Sequence, residues 1–225
     1  LSVNGTPTGD PVFQLGSTLD VKELTAMGFD ASQFLSGRVR FIASPQADGS
    51  ISMGVDLENA TLNIADLGIR KAQGVKGLLQ ARVKQDGKLT ELDDIALAFG
   101  DVDLRGQLVF DGEKKQLASA QFDTFALSAG DQAQVSLSPI DGGGYSVAIR
   151  GNQLDLKPML QRFFGLGEGS LGSVATTSID QRIALDVKLK RAIGFYMTTA
   201  YNLDLDLMLR GSDLLTSELK SYCGL

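Results

Sequence analysis

Hydrophobic and polar side chains alternate along much of the 225-residue chain. A period of two places successive side chains on opposite sides of a β-strand, so each run predicts a strand with one apolar face. The first run slips near Glu58 and resumes at Ala60, and none of the runs fits the 3.6-residue period of a helix. The apolar positions of the four clearest runs are Ile51, Met53, Val55 and Leu57; Val102, Leu104, Leu108 and Phe110; Ile183, Leu185, Val187 and Leu189; and Leu203, Leu205, Leu207 and Leu209.

Turn signals separate these runs at short spacing. Asp48-Gly49, Asp86-Gly87, Asp111-Gly112 and Asp141-Gly142 repeat a dipeptide that tolerates the positive φ of tight hairpins. No amphipathic helix of roughly 10–15 residues lies between the runs, as a parallel sheet would require. The sequence therefore predicts an all-β fold built as a long antiparallel meander.

Two short helices are expected to interrupt the strands. The first is predicted near residues 21–27, where Asp20 can cap its N-terminus. The second is predicted near residues 156–164, where Asp155 can act in the same way. Helices this short and few cannot cover a large sheet.

The domain organisation follows from the order of these segments. Residues 1–165 are expected to form the main β segment, which includes both helices. Residues 166–182 are rich in Gly, Ser and Thr, which is typical of a connection. Residues 183–225 are expected to continue the same sheet, because a lobe of only a few strands would be marginally stable.

Composition removes several classes of function. The net charge of −6 argues against nucleic acid as a partner, because phosphate binding needs a cationic surface. The chain has no His and one Cys, which excludes histidine-based catalytic triads and histidine metal sites and leaves no internal disulfide. The glycine pattern at residues 167–172 (GEGSLG) lacks the strand-to-helix context of a dinucleotide site. We therefore expect no catalytic residue, no metal, no cofactor and no enzymatic activity.

The apolar faces leave two interpretations open. They can pack on each other as the ordinary core of a sandwich. They can also line an open groove, because the chain has no Trp to fill a thick core, the helices are short, and the strands run about 30–40 Å. On the second interpretation the meander curls into a taco-shaped half-barrel. The four apolar sets are then the groove-lining candidates, with Phe122, Phe125 and Leu127 as weaker additions.

Several segments resemble the AsmA-like superfamily of Gram-negative envelope proteins, most nearly the large YhdP-type members and more distantly TamB. Residues 183–189 and 203–209 resemble strands of this superfamily. Residues 19–37 (LDVKELTAMGFDASQFLSG) resemble its short helix and the strand opening after it. Residues 60–77 (ATLNIADLGIRKAQGVKG) resemble a strand followed by a basic, glycine-containing step, and residues 149–165 (IRGNQLDLKPMLQRFFG) resemble the step into the second helix. These motifs are packing signatures, and the resemblance covers most of residues 15–210.

The resemblance implies a hydrophobic groove that carries phospholipid acyl chains from the inner towards the outer membrane. It also implies location in the periplasm, an inner-membrane anchor in a segment absent from this chain, and adjacent repeats of the same protein or other envelope proteins as partners. No segment of the sequence approaches the ~20 apolar residues of a transmembrane helix. The alternative is a structural β-module that recruits partners by adding a strand to an open sheet edge.

Overall fold

The computed structural model describes residues 15–26, 31–64, 67–158, 182–194, 198–210 and 213–223. Most of these residues lie in β-strands, so the all-β fold class is confirmed. The elements in chain order are β1 (Leu15–Asp20), α1 (Val21–Ala26), β2 (Leu35–Pro45), β3 (Ile51–Asp56), β4 (Ala60–Ile64), β5 (Ile69–Lys71), β6 (Leu78–Asp86), β7 (Leu89–Phe99), β8 (Val102–Asp111), β9 (Gln116–Ala126), β10 (Gln132–Pro139), β11 (Gly144–Asp155), β12 (Arg182–Ile193), β13 (Thr199–Arg210) and β14 (Asp213–Cys223).

Packing divides the chain into two compact units. The described part of the first unit contains α1 and β1 to β8, and that of the second contains β9 to β14 together with Leu67 and Gly68. The division falls at Gln116, whereas the change of composition that the sequence shows lies at residues 166–182. Most of that connection lies outside the described residues.

The sheet of the first unit is antiparallel, and the line of strands along one edge of β2 is divided into β3 and β4. β1 and β3 pair with opposite edges of β2, and β6, β7 and β8 follow beyond β3. β4 continues the line of β3 along β2: Arg40 faces Asp56, and Gly37 faces Ala60. One extra residue therefore stands between β3 and β4, which is a β-bulge. The slip that the sequence shows near Glu58 is this bulge.

The side chain of Lys71 is buried against the backbone of this bulge. Only 2% of Lys71 is exposed. Its Nζ donates hydrogen bonds to the carbonyl oxygens of Leu57 (2.5 Å), Ala60 (2.9 Å) and Ala72 (3.2 Å). A bulge leaves backbone carbonyls without ladder partners, and burying them unpaired is costly. The Lys71 ammonium binds the two carbonyls that flank the bulge, although the Leu57 oxygen also accepts the Ala60 N–H at 2.9 Å. Burial lowers the pKa of Lys71, and the charges of Asp56 and Glu58 oppose this shift.

The sheet of the second unit departs from the predicted meander at one place. β9, β10 and β11 are antiparallel neighbours, and so are β12, β13 and β14. β11 and β12 instead pair in parallel, from Gly144 opposite Arg182 to Asp155 opposite Ile193. Parallel neighbours need a crossover of about a dozen residues or more. The sequence between them, residues 156–181, is long enough for such a crossover, although the helix predicted near residues 156–164 and the connection predicted at residues 166–182 did not indicate parallel pairing. In each unit the described strands form an open sheet, whose first and last strands do not pair with each other.

Local signals predicted several turns and caps correctly. Gly49, Gly87 and Gly142 adopt positive φ, at 81°, 58° and 79°, in the turns that the Asp-Gly pairs predicted. Asp20 caps α1: its Oδ1 accepts the Lys22 N–H at 3.0 Å, and its own N–H reaches Glu23 at 2.7 Å, which forms a capping box.

Asp155 likewise accepts the Lys157 N–H at 2.9 Å where the second helix was expected. Only Leu156, Lys157 and Pro158 of that predicted helix lie within the described residues, and the last two of these are helical.

A buried carboxylate fixes the turn between β9 and β10. Asp131 Oδ2 accepts hydrogen bonds from the N–H groups of Leu127 (3.1 Å) and Ser128 (2.9 Å), and from the Ser128 hydroxyl (3.0 Å). Its Oδ1 accepts the N–H of Asp155 at 2.9 Å, at the end of β11. Asp131 thus ties the turn to the neighbouring strand.

Candidate functional site

The third and fourth candidate sets form one apolar surface in the second unit, because β12 and β13 are direct neighbours. Directly opposite residues of an antiparallel pair share a face of the sheet. The opposing pairs are Ile183 with Leu209, Leu185 with Leu207, Val187 with Leu205, and Leu189 with Leu203.

The same face continues across β11, β10 and β9. Ile149 lies beside Val187 on β12 and opposite Val135 on β10. Val135 in turn faces Phe122 on β9. Sequence reasoning did not select the β10 and β11 residues, although Val147 and Ile149 alternate there. The missed members of this face are Ala133, Val135, Leu137, Tyr145, Val147 and Ile149.

The three weaker candidates divide between the strand and the turn after it. Phe122 and Phe125 lie on β9, with ring centroids 6.4 Å apart in an edge-to-face arrangement. Their odd spacing is compatible with one face because the register of β9 and β10 shifts between Ala133 and Val135. Leu127 lies in the turn beyond β9, so it does not belong to the strand row.

The first and second candidate sets lie in the first unit, but their strands are not neighbours. β6 and β7 stand between β3 and β8, and their side chains complete the face. Two rows run straight across the four strands. They are Val55, Leu79, Leu97 and Leu104, and Ile51, Val83, Leu92 and Leu108.

A bulge on β7 interrupts the alternation there, so the sequence does not show that the apolar rows continue across this strand. The register of β7 shifts between Leu92 and Ile95, and Asp94 there has a φ of 51°. The extra residue moves the apolar positions from Leu92 to Ile95 and breaks strict alternation. Asp94 forms an ion pair with Arg82 on β6. The adjacent carboxylates Asp93 and Asp94 therefore mark a structural irregularity.

The apolar face of the first unit changes from buried to exposed along its strands. Leu57, Val102 and Leu104 are buried at one end. At the other end, next to the turns that follow β2 and β8, Ile51 is 43% exposed and Phe110 is 37% exposed. Met53, Val55 and Leu108 are half-buried between them. This face is open to solvent at the turn end.

The apolar face of the second unit shows no such change from buried to exposed along β12 and β13. Val187, Leu189 and Leu203 are buried, as are Leu207 and Leu209. The remaining candidates on β12 and β13, which are Ile183, Leu185 and Leu205, are half-buried.

The opposite face of each sheet carries ion pairs, and in the first unit the exposed side chains of Ile42 and Leu78 lie on it as well. In the first unit Arg40 pairs with Asp56 at 2.9 Å, and Arg105 pairs with Asp103 at 2.9 Å. These carboxylates alternate in sequence with the apolar candidates, and a hydrogen bond from the Glu58 N–H lowers the pKa of Asp56. The second unit carries the ion pairs Arg150 with Asp186, and Lys188 with Asp204.

Two shallow depressions lie in the first unit, and side chains of the charged face contribute to the lining of both. One, about 400 Å³ in volume, is lined by Gln46, Ala47, Asp48, Ser50, Ser52 and Arg82. The other, about 440 Å³ in volume, is lined by Asp56, Glu58, Lys76, Gly77, Leu78 and Ala98. Neither belongs to the apolar rows.

The described residues include no cluster of three or more Cys, Asp or Glu side chains placed to hold a metal ion. Within the same residues, no helix has the length and apolar character needed to cross a membrane. The chain matches no protein-family model, no curated protein and no solved structure. The resemblance to AsmA-like proteins thus stays a prediction from sequence.

Proposed function

We propose that this chain is a non-enzymatic, periplasmic segment of a larger inner-membrane-anchored envelope protein, and that its apolar faces carry phospholipid between the inner and outer membranes. The observation that carries the proposal is the apolar face of the first unit, which runs across β3, β6, β7 and β8 and ends in exposed Ile51 and Phe110. An exposed apolar surface in water calls for an apolar occupant.

The dimensions of this face suit an acyl chain. A ten-residue strand such as β8 extends about 33 Å. A phospholipid tail reaches about half of a bilayer core of roughly 30 Å, or about 15 Å. Each buried CH₂ contributes about 0.8 kcal/mol, so a row of Leu, Val and Ile that keeps a constant environment holds a tail without trapping it at one point.

The charged face supports the same proposal. Asp56, Asp103 and their arginine partners keep the outer side of the first unit hydrated. The net negative charge is compatible with lipid when only the tails contact protein and the headgroups project into water.

Native mass spectrometry of the purified chain, with lipid extraction alongside, tests the proposal. We expect phospholipid to be retained by the wild type and lost from Ile51→Glu, because the new carboxylate is placed on the exposed apolar row. Ser52→Glu is the matched control: it introduces the same side chain one position away, on the charged face opposite Arg82. Lipid should remain bound to this variant.

A lipid-free wild type would contradict the proposal, and so would equal retention by both variants. The urea midpoint of each variant should stay close to that of the wild type, since Ile51 is exposed and the substitution leaves the buried end untouched. Loss of lipid is then separated from loss of fold.

The second candidate function, a structural module that adds strands from a partner, is favoured by one separate observation. β14 pairs only with β13 among the described strands, and Leu214, Leu215, Leu219 and Tyr222 on it are exposed. A wild type that carries no lipid and binds a partner through β14 would replace the first proposal by the second.

A further inference from the structure

We infer that β14 is a self-association edge that pairs, antiparallel, with β14 of a second copy of this chain, in a register centred on Leu219. The inference does not depend on lipid binding. It rests on the open edge, on the exposure of the strand, and on the order of its charges.

β14 has the properties of an edge that invites another strand. It spans Asp213–Cys223 and, within the part of the chain that the structure describes, it is the last strand of its sheet. Leu219 is 61% exposed and Tyr222 is 74% exposed. Natural sheets protect long edges with proline, charged side chains such as lysine, β-bulges or a covering segment. β14 contains no proline, and between its two register shifts it pairs regularly with β13 from Thr216 to Lys220. The one lysine of this strand, Lys220, is neutralised by Glu218 on the same polar face.

The faces of the sheet restrict the registers that a second copy can use. Leu219 lies opposite Leu205, so it continues the apolar face of the second unit. Antiparallel pairing about a two-fold axis perpendicular to the sheet keeps the apolar faces of both copies on one side. This symmetry requires the axis to pass through a residue, because a shift of one residue would turn one apolar face to the charged side.

The charges then select one register. A centre at Glu218 places Glu218 against itself, and a centre at Lys220 places Lys220 against itself. A centre at Ser217 places Glu218 opposite Thr216. Only the centre at Leu219 places Glu218 opposite Lys220 of the second copy, and it does so twice by symmetry.

The same register extends an ion pair that the chain already has. Glu218 lies directly opposite Asp206 on β13, and it forms an ion pair with Lys220 of its own strand at 2.6 Å. Glu218 and Lys220 of the second copy would complete a network of four alternating charges across the seam. In the centred register Leu219 meets Leu219 on the apolar face, which extends that face across both copies.

Sedimentation equilibrium of the full chain measures the dimer. We expect a monomer–dimer equilibrium for the wild type. Glu218→Lys should raise the dissociation constant about tenfold or more, because the introduced ammonium faces Lys220 of the second copy at both symmetric positions. The charge swap Glu218→Lys with Lys220→Glu should return the constant to within about threefold of the wild type. Within its own chain Glu218→Lys loses the ion pair with Lys220 and gains Asp206 directly opposite, so its melting temperature should change little.

Single-cysteine crosslinking tests the register. In a Cys223→Ser background, Leu219→Cys should form a disulfide-linked dimer under mild oxidation, because directly opposite Cα atoms lie about 4.5–5.5 Å apart. Ser217→Cys is the matched control on the same face. Its counterpart in the second copy lies four positions along the strand, about 13 Å away, and should not crosslink.

Three results would overturn the inference. They are a wild type that stays monomeric at its highest soluble concentration, a dimer whose dissociation constant ignores Glu218→Lys, and equal crosslinking at positions 217 and 219. None of them bears on whether the chain carries lipid, which is measured separately by extraction.

Discussion

The first unit presents its apolar face to solvent at the turn end of its strands, where Ile51 and Phe110 are exposed, whereas the second unit keeps the corresponding side chains on β12 and β13 buried or half-buried. The exposed apolar residues of the second unit are instead concentrated on its last strand, β14. Both units show the same alternation in sequence. Alternation therefore indicates which face is apolar, and strand pairing decides how far that face is covered.

The largest effect that separates the two faces is expected from a buried charge. Val187→Glu places a carboxylate at a position that is 1% exposed, with the apolar side chains of Ile149 and Leu205 beside it. We expect a loss of about 3–5 kcal/mol of unfolding free energy. Ile51→Glu, on the exposed end of the first unit, should cost less than about 1 kcal/mol. Urea denaturation followed by far-UV circular dichroism measures both.

Equal losses from these two substitutions would remove the distinction between the faces. Val187 is also a poor probe of lipid binding, because unfolding would release lipid whatever the face normally holds. Ile51 is the better probe, although both positions belong to runs that alternate in the same way. Sequence cannot rank them, because exposure depends on which strands are neighbours.

The next largest effect concerns how each unit satisfies its irregular backbone. The first unit uses the buried ammonium of Lys71 to bind the carbonyl oxygens of Leu57 and Ala60 beside the bulge and of Ala72 after β5. The second unit uses the carboxylate of Asp131 to bind N–H groups at a turn. Lys71→Met keeps the apolar stem and removes the donor, so it should lower the unfolding free energy by about 2 kcal/mol. Asp131→Asn keeps one acceptor oxygen and should cost about 1 kcal/mol. Urea denaturation checks both values.

The effect of Lys71→Met should depend on pH. Burial lowers the pKa of Lys71 from its usual 10.5, so the folded protein releases this proton at a lower pH than the unfolded chain. Between the two pKa values the unfolded state binds more protons, and stability rises with pH. The advantage of the wild type over Lys71→Met should therefore grow as the pH is raised through the alkaline range below 10.5. An advantage that shrinks over this range would mean that the pKa is raised.

Particular residues show what the sequence could and could not predict. The Asp-Gly turns and the Asp20 cap depend on local backbone geometry, so a few residues were enough to predict them. The bulge beside Asp94 and the parallel pairing of β11 with β12 depend on partners distant in sequence. Lys71 could not be recognised as buried, because its acceptors are backbone carbonyls that no side-chain pattern reveals.

A smaller effect comes from glycines inside strands of the two units. An added Cβ at Gly54 in β3 would meet no heavy atom within 4 Å, whereas one at Gly151 in β11 would meet the Gln132 carbonyl oxygen and lie 2.7 Å from Ala133 Cα. Gly54→Ala should stabilise the protein by about 0.5 kcal/mol by restricting the unfolded chain. Gly151→Ala should destabilise it by about 1–2 kcal/mol through overpacking. Thermal melting of the two variants tests this prediction. Melting temperatures that shift in the same direction for both variants would contradict it.

The smallest effects distinguish the charged faces. Asp103 in the first unit accepts two hydrogen bonds from Arg105, at 2.9 and 3.1 Å, whereas Asp206 in the second unit lies between Asp186 on β12 and Glu218 on β14. Asp206→Asn should raise the unfolding free energy by about 0.2–1 kcal/mol by relieving repulsion, and Asp103→Asn should lower it by at most about 0.5 kcal/mol. Both differences should shrink in high salt, because exposed charges are screened. Melting temperatures measured at low and high ionic strength give the signs. Asp186 and Glu218 each have a basic partner within the chain, Arg150 and Lys220, so a destabilising Asp206→Asn would mean that these two cations also compensate Asp206.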